Sequence, residues 1–544
     1  MAKTTVIICL ILIPVSIVAQ ELPPAALVSS ISPDSIRKHL NVLGSDSLQG
    51  RGTGSEGIRK AATYISSRLR KYNIPPAEAV GSYFQRVPMH GSMPLAQSKL
   101  HCMTSDTSVS LMLQKDYLLY KTGAQTIIPQ PLPLVFVGYG IVAPEFDYND
   151  YQSLDIEGKI VVFLSGEPPS TDPAFFNGEE PTIYSYPESK HRIAISRGAR
   201  GSIMIPLARD ANCRTWPEWI MTFSFEDVTL AYAVSSNLSI VINPEIADLL
   251  FEKSGYRLSQ VLEMDVNHRM RSFALASRIT FRGEFIERDF HDANVIGLKK
   301  GRSDRAVILS AHYDHLGIGP PVRGDSIYNG VNDNAIGVAA LLEIARVFSE
   351  IPAHYNSLIF LFTSGEEKGL LGATYYADHP VVPLYRTIAN INIDGLAIFD
   401  QFENVVGVGA DLSTLGRELE RTAKMSGLEV SPIPSRFLAT ESFARSDQIA
   451  FARAGVPSVL IAEGPDYKNI SRDQGLRLMM QWMETVYHTP FDDLSQPLNM
   501  KAAIQHCRFI FTYSHAIAHL KDYPEWKPGT PFINARLLSF AEKR

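Results

Sequence analysis

The sequence has few cysteines, and this scarcity excludes two kinds of protein. Of the four cysteines in 544 residues, Cys9 lies in the apolar stretch at the start of the chain, which leaves Cys102, Cys213 and Cys507. Three cysteines form one disulfide at most, so the chain is not a disulfide-stabilised scaffold. Their spacing also lacks the paired-cysteine pattern of a thiolate zinc site. If the protein binds a metal, histidines and carboxylates must be the ligands.

Basic runs and long apolar runs are also missing. The formal net charge is -6, and no cluster of lysine and arginine indicates a nucleic-acid partner. The apolar run Val6–Ala19 is shorter than the roughly 20 residues that a membrane-spanning helix needs. With Lys3 before it and Gln20 after it, this run is typical of a secretory signal at residues 1–19, although a retained N-terminal anchor would have similar features. We expect an exported protein, periplasmic or extracellular, with no stable membrane insertion after the signal is removed.

The remaining chain divides into three blocks, within a composition typical of soluble globular proteins (45% hydrophobic, 20% charged). Residues 20–97 have helical spacing and are expected to pack on the last block. Residues 98–281 consist of short β-rich runs separated by glycine and proline, which indicates an inserted β-rich domain. In residues 282–544 apolar strands alternate with amphipathic helices. This alternation predicts an α/β fold with a mixed, mostly parallel sheet flanked by helices.

The last block predicts individual elements. Strands are predicted at Val307–Ser310, Ser357–Thr363, Thr387–Ile393, Asn404–Val408 and Pro457–Ala462. Helices are predicted at Asn334–Phe348, Gly369–Asp378, Leu412–Met425 and Gln474–Tyr487. Ligands of open α/β sheets bind beyond the carboxyl ends of the strands, and metal-binding residue types follow three of these strands at once. Five segments therefore point to one edge of the sheet, with His312, Asp333, the pair Glu366 and Glu367, Asp394 and His488.

Each of these residues alone has an ordinary structural interpretation. Asp333 could cap a helix, Glu366 and Glu367 could be solvated carboxylates at a helix start, and His312 could be a hydrogen-bonded core histidine. Together these interpretations fail, because adjacent buried carboxylates repel unless a positive charge compensates them. Zinc supplies such a charge and accepts imidazole nitrogen and carboxylate oxygen.

The residues suffice for two zinc ions per chain. The predicted arrangement has Asp333 as the bridge, His312 and Asp394 on one metal, and Glu367 and His488 on the other. Four positive charges are then balanced by three ligand carboxylates and a bridging hydroxide.

Two further carboxylates lie beside these ligands in the sequence. Glu366 has no metal to bind and is the candidate general base that takes the proton from the metal-bound water. Asp314 can accept a hydrogen bond from the second ring nitrogen of His312 and so orient it, although a plain surface aspartate is an equally good interpretation of that residue.

These motifs closely resemble the aminopeptidase Y family of co-catalytic di-zinc metallopeptidases, which is related to glutamate carboxypeptidase and the transferrin receptor. The motifs are Ala311–His315, Asp333–Ala335, Gly365–Leu370, Asn392–Asp394 and Tyr487–Thr489. The resemblance implies a zinc peptidase fold and the same ligand roles, and it implies that Tyr487 stabilises the tetrahedral oxyanion. Gly50–Gly54 also resembles the N-terminal segment of family members.

The middle block resembles the protease-associated domain that is often inserted in these enzymes, at Val135–Ile141, Gly158–Val162 and Ala199–Met204. Such a domain would shape access to the site, although a β-rich spacer without a recognition role explains the pattern as well. Three positions depart from the family pattern: Gln448 replaces a common histidine, Ile336 a serine or alanine, and Gly395 a methionine. These departures remove no ligand, but they put the substrate preference in doubt.

The expected function is that of an exported zinc-dependent aminopeptidase, which releases N-terminal residues from peptides by attack of the metal-bridging hydroxide. A carboxypeptidase would use the same metals and needs a basic group for the substrate carboxylate, for which Arg445 is a candidate. N-terminal glutamine cyclisation occurs on a related fold with one zinc. A non-catalytic receptor-like binding module is the alternative from another class, and it predicts an incomplete ligand set.

Overall fold

The computed structural model describes residues 22–121, 126–152, 154–178, 182–210, 213–434 and 443–543. The predicted signal at residues 1–19 lies outside these ranges. Among the helices of the described residues, none combines the length and the apolar character needed to cross a membrane.

A nine-stranded mixed sheet carries the predicted ligands. In spatial order its strands are Asp227–Leu230, Phe84–Pro94, Phe285–Lys299, Ser357–Thr363, Ala306–His312, Thr387–Asn392, Ser458–Glu463, Asn404–Val408 and Glu429–Val430. The four strands from Ser357–Thr363 to Ser458–Glu463 run parallel to one another. Strands on either side of this group pair antiparallel with it. The predicted mixed, mostly parallel sheet is therefore confirmed, with its parallel part at the centre.

The central strands are apolar because helices cover both faces of the sheet. Every residue of Ala306–His312 and Thr387–Asn392 is buried, as expected for parallel strands that contact solvent on neither face. The helices of the described residues are Ala25–Ser30, Pro33–Leu43, Glu56–Lys71, Pro187–Ser196, Trp216–Thr222, Leu258–Val266, Ile336–Glu350, Leu371–Asp378, Leu415–Met425, Gln448–Arg453, Arg472–Thr485, Met500–Ala518 and Ile533–Ala541.

A second sheet of eight strands is formed by residues 99–282. Its strands, in spatial order, are Ser108–Leu111, Lys99–Met103, Phe273–Arg282, Ile127–Phe136, Ile160–Leu164, Gly201–Ile205, Leu238–Ile242 and Tyr117–Lys121. It has its own apolar core, which includes Phe136, Val162 and Ile240. Two short hairpins complete the strands, Val142–Ala143 with Tyr148–Asn149 and Gly317–Val322 with Asp325–Tyr328.

A strand from the β-rich block takes part in the large sheet, so the two parts of the structure are linked by backbone pairing as well as by the connecting segments. The strand Asp227–Leu230 belongs to the β-rich block by sequence, yet it pairs with Phe84–Pro94 at the edge of the nine-stranded sheet. The boundaries at residues 97 and 281 thus remain predictions, and this strand crosses between the blocks that they define.

Four strands of the large sheet were not predicted, and two of them are long. Phe84–Pro94 contains two prolines and a glycine, residues that usually argue against a strand. Phe285–Lys299 is largely exposed over its first half, so its sequence is polar there. The two strands pair with each other over eleven positions. This long backbone pairing stabilises both strands although neither local sequence has a regular strand pattern.

The N-terminal helices pack on the large sheet. Ile36 and Leu40 of one helix, and Ile58 and Ile65 of the next, belong to the same apolar core as Val307 of the strand Ala306–His312. Ser32 caps the helix Pro33–Leu43, because its hydroxyl accepts a hydrogen bond from the backbone N–H of Ser35. The bounds of residues 20–97 as a separate segment remain a prediction.

Arg51, between these helices, ties the segment to the loops beyond the strand ends. Its side chain is 1% exposed, and its guanidinium donates to the carbonyls of Tyr313 (2.8 Å) and Gly330 (2.8 Å), and also to those of Leu43 and Asn329. Burial lowers the pKa of Arg51 to about 10, so the group stays charged at neutral pH.

We expect Arg51→Met to lower the free energy of unfolding by at least about 3 kcal/mol, because it leaves four buried carbonyls without their donor. Denaturant unfolding followed by circular dichroism measures this loss. Arg59→Met is the control, since its ion pair with Glu56 is more than half exposed and such pairs contribute about 0–1 kcal/mol. Equal effects of the two substitutions would contradict the role assigned to Arg51.

Candidate metal centre

The predicted ligands meet at the carboxyl ends of three adjacent parallel strands. His312 is the last residue of Ala306–His312, Glu367 lies four residues after Ser357–Thr363, and Asp394 lies two residues after Thr387–Asn392. Asp333 comes from the turn that precedes the helix Ile336–Glu350, and His488 follows the helix Arg472–Thr485. The structure therefore brings all five predicted ligands together.

Three of these residues form the first group of donors. The Nε2 atom of His312 lies 3.1 Å from Oδ1 of Asp394 and 3.3 Å from Oδ1 of Asp333. His312 is buried, whereas the side chain of Asp394 is 23% exposed. The group is therefore open toward solvent on the side of Asp394.

The second group uses the other oxygen of Asp333. The Nε2 atom of His488 lies 3.1 Å from Oδ2 of Asp333 and 3.1 Å from Oε2 of Glu367. The two oxygens of Asp333 thus face different groups, which is the arrangement that a bridging carboxylate requires.

The donor atoms fit zinc ions. Ligand atoms about 2.0–2.2 Å from a tetrahedral zinc lie roughly 3.3–3.6 Å from one another, and the separations of 3.1–3.3 Å are close to this range. Nε2 of His488 and Oε1 of Glu367 are buried and have no hydrogen-bond partner within the described ranges. Buried polar atoms are normally paired, so these atoms are available to a cation.

The charges of the site favour a cation as well. Burial alone would lower the pKa of His488, but the carboxylates of Glu367 and Asp333 overcome this effect and raise it to about 10. Burial alone would raise the pKa of Asp333, but the imidazoles of His312 and His488 hold it well below its usual value. The carboxylates therefore stabilise positive charge between them.

Glu366 belongs to neither donor group and lies beside both. Burial raises the pKa of Glu366 well above its usual value, and the nearby carboxylates of Glu367 and Asp394 add to the rise. A carboxylate with a raised pKa is suited to accept a proton. The role of Glu366 as general base remains a prediction. Its position beside the donor groups supports that prediction.

Asp314 holds the backbone of the two glutamates. Its carboxylate accepts hydrogen bonds from the N–H of Glu366 (3.1 Å) and of Glu367 (3.3 Å). Its Oδ1 atom lies 3.8 Å from Nδ1 of His312, while the backbone carbonyl of Asp314 lies closer to that nitrogen, at 3.3 Å. Asp314 is fully buried, so the interpretation as a surface aspartate is wrong, and the structure adds a contact that the sequence did not indicate.

Tyr487 stacks on His488, with ring centroids 3.8 Å apart. Burial raises the pKa of Tyr487 well above its usual value, and the carboxylates of Asp333 and Glu367 add to the effect. The phenol therefore remains protonated and can act as a hydrogen-bond donor beside the two donor groups.

Sequence reasoning missed residues that hold the Asp333 turn in place. The carboxylate of Asp492 accepts from the N–H of Asn332 (2.8 Å) and of Asp333 (3.0 Å). Asn334 donates to the carbonyl of Ile393 and accepts from the N–H of Gly395. Asp492 lies four residues after His488. This proximity to a predicted ligand is the one sequence feature that could have indicated its role at the site.

The positions that depart from the family pattern lie mainly in the interior. Ile336 is fully buried in the core. Gln448 accepts from Asn392 and donates to the carbonyl of Phe443, so it supports the strand end below Asp394. Gly395 has φ 79°, a backbone conformation that favours glycine.

Comparison with known proteins agrees with this geometry. Residues 294–514 match the family model described as peptidase family M28, which supports the predicted resemblance for this region. Aminopeptidase YwaD of Bacillus subtilis is 28% identical over 206 residues, which is 37% of this chain and 39% of that protein. Aminopeptidase Y of Saccharomyces cerevisiae is 25% identical over 284 residues, 51% of this chain and 46% of that protein. The chain thus spans less than half the length of these curated relatives.

The fold is shared with a solved aminopeptidase from Aneurinibacillus sp. strain AM-1. The two structures align with a TM-score of 0.53 at 19% sequence identity, over 93% of this chain and 98% of the other. The likeness extends beyond the matched family region.

We expect Asp333→Ala to lose both metals together, because both donor groups contain this carboxylate. Metal content per chain, measured by mass spectrometry after dialysis against zinc-containing buffer, should fall from two to less than one. Asp304→Ala is the control, since the side chain of Asp304 is 70% exposed and pairs with Arg386. A variant at position 333 that retains two equivalents of zinc would contradict the bridging arrangement.

Proposed function

We propose that the protein is a zinc-dependent exopeptidase, and specifically an aminopeptidase that releases N-terminal residues from peptides. The observation that carries this proposal is the pair of donor groups that share the two oxygens of Asp333. His312 and Asp394 would complete one zinc site, and Glu367 and His488 the other.

Zinc, when bound, polarises a carbonyl and makes water acidic enough to supply a nucleophile near neutral pH. Glu366 then accepts the proton of the attacking water and passes it to the leaving amine, as its raised pKa and its position near His312, Glu367 and Asp394 allow. Tyr487 donates a hydrogen bond to the oxyanion, which strengthens as the negative charge develops.

The choice of an aminopeptidase rests on the similar proteins. Two curated relatives and the Aneurinibacillus protein are aminopeptidases by name. The chain covers only part of the curated relatives, so their names alone do not carry the proposal. The geometry of the donor groups supplies the second support. The presence of two donor groups favours an aminopeptidase over a glutamine cyclase with one zinc. The complete set of predicted ligands argues against a non-catalytic receptor-like module.

A carboxypeptidase is the second candidate, and two arginines favour it. Arg445 carries a charge near Tyr487 that acts to lower the pKa of the phenol. Arg214, from the β-rich block, interacts electrostatically with both Arg445 and Tyr487. Guanidinium groups at this position could bind a substrate carboxylate. The proposed substrates are in either case peptides.

We propose further that the protein is exported to the periplasm or the medium. This proposal rests on the charged start and short apolar run of residues 1–19.

A matched set of tripeptides separates the two exopeptidase activities. The set contains a free peptide, its N-acetyl form and its C-terminal amide, and product release is followed by chromatography. An aminopeptidase cleaves the free peptide and the amide but leaves the N-acetyl peptide intact. Cleavage of the N-acetyl peptide with loss of activity on the amide would instead establish the carboxypeptidase.

We expect Glu366→Gln to retain two zinc ions and to lower kcat by about 10²–10⁴-fold, because the amide cannot accept the proton of water. Steady-state kinetics on the cleaved peptide, with metal analysis of the same sample, tests this. Glu420→Gln, at an exposed position, is the control. Near-native kcat with both metals present would remove Glu366 from the mechanism.

A further inference from the structure

A third histidine lies in the second donor group without an assigned role. His315 follows His312 by three residues and is fully buried. Its Nδ1 atom lies 2.6 Å from Oε1 of Glu367 and 3.8 Å from Oδ2 of Asp333. Its ring meets that of His488 edge-on, with centroids 5.6 Å apart.

The surrounding backbone fixes the position of this ring. The N–H of His315 donates to the carbonyl of Arg51 at 3.3 Å, and Gly330 packs directly against the imidazole. A Cβ atom at Gly330 would lie 2.4 Å from Cγ of His315, so any larger residue there would displace the ring. Gly330 also has φ 58°, which favours glycine for a second reason.

The nitrogens of His315 are unsatisfied despite this close packing. Among the described residues, neither Nδ1 nor Nε2 has a partner in hydrogen-bond geometry, and the same is true of Oε1 of Glu367. The 2.6 Å contact is therefore short without being a hydrogen bond. Burial of an imidazole with both nitrogens unpaired is unfavourable, but His354 is buried in the same state, so this alone does not mark a site. At His315 two carboxylates also lie within 4 Å of Nδ1, and this combination favours a cation there.

His488 shows the same pattern. Its Nε2 atom is 3.1 Å from two carboxylate oxygens, yet it too makes no hydrogen bond within the described part of the chain. In both histidines, nitrogen and oxygen atoms lie close together without pointing at each other. The separations at His488 are close to those of two ligands on one zinc, and the 2.6 Å contact at His315 would lengthen to about 3.3 Å when both atoms bind the metal.

We propose that Nδ1 of His315 binds the same cation as Glu367, Asp333 and His488. This inference rests on the proposed function and extends it. The second group then has four protein donors, whereas the first group has three. The group with more donors binds its zinc more tightly, and the group of His312 and Asp394 keeps the open position that a catalytic site needs.

The test measures zinc binding to the metal-free full-length chain by isothermal titration calorimetry. Wild-type protein should bind two zinc ions in two steps of different affinity. His315→Leu, similar in size but without a donor atom, should weaken the tighter step by about 100-fold or more and leave the weaker step unchanged. His354→Leu is the matched control, because His354 is also fully buried but belongs to neither donor group.

His315→Asn separates ligation from a hydrogen bond to Glu367. The amide nitrogen of asparagine occupies nearly the position of Nδ1 and can donate, but it is not a zinc ligand. If His315 binds the metal, Asn weakens the tight step as much as Leu does. Restoration of the tight step by Asn, or an unchanged tight step in the Leu variant, would overturn the proposal.

A measurement on the unmodified protein covers the case in which these variants do not fold. With ¹⁵N-labelled histidine and ¹¹³Cd in place of zinc, ring nitrogens bonded to the metal show scalar coupling to cadmium. Coupling in three histidines is expected, and coupling in only two would overturn the proposal. Wild-type protein that binds no metal would contradict the proposed function itself, so the two failures are distinguishable.

Discussion

The structure around the site depends on the repulsion between carboxylates that the fold has gathered in one place. Asp333, Glu367 and Asp394 approach one another at the ends of two strands and in one turn, and the side chains of Asp333 and Glu367 are largely shielded from water. Burying several such charges is costly unless a cation compensates them. Asp333 is the centre of this constraint, because its two oxygens face two separate histidines. The neighbouring loops hold that carboxylate in its bridging orientation.

Those loops come from distant parts of the chain, and the scaffold has to align them. The parallel strands bring His312, Glu367 and Asp394 to one edge, as their common direction requires. Asp492 then fixes the turn of Asp333 through two backbone N–H groups, and Arg51 joins the N-terminal helices to the same region. The catalytic geometry is thus shared between the central sheet and the segment that precedes the β-rich block.

Much of the central sheet could be predicted because its strands are apolar on both faces. Ser357–Thr363 lies at its predicted bounds, and three of the five predicted ligands were recognised because their residue types directly follow such strands. Phe84–Pro94 could not be predicted, since its pairing with a distant strand outweighs its prolines. Asp492 contacts the Asp333 turn, which is far away in sequence, and no local pattern records this. His315 stands in the motif Ala311–His315, but its contacts with Asp333 and Glu367 arise only from the fold.

The most direct test of the account is a crystal structure of the zinc-loaded protein with anomalous diffraction measured at the zinc absorption edge. The account predicts two anomalous peaks about 3.5–4 Å apart, one on each side of the carboxylate of Asp333. A single peak, or peaks that Asp333 does not bridge, would contradict the two-metal centre and the hydrolytic function proposed from it.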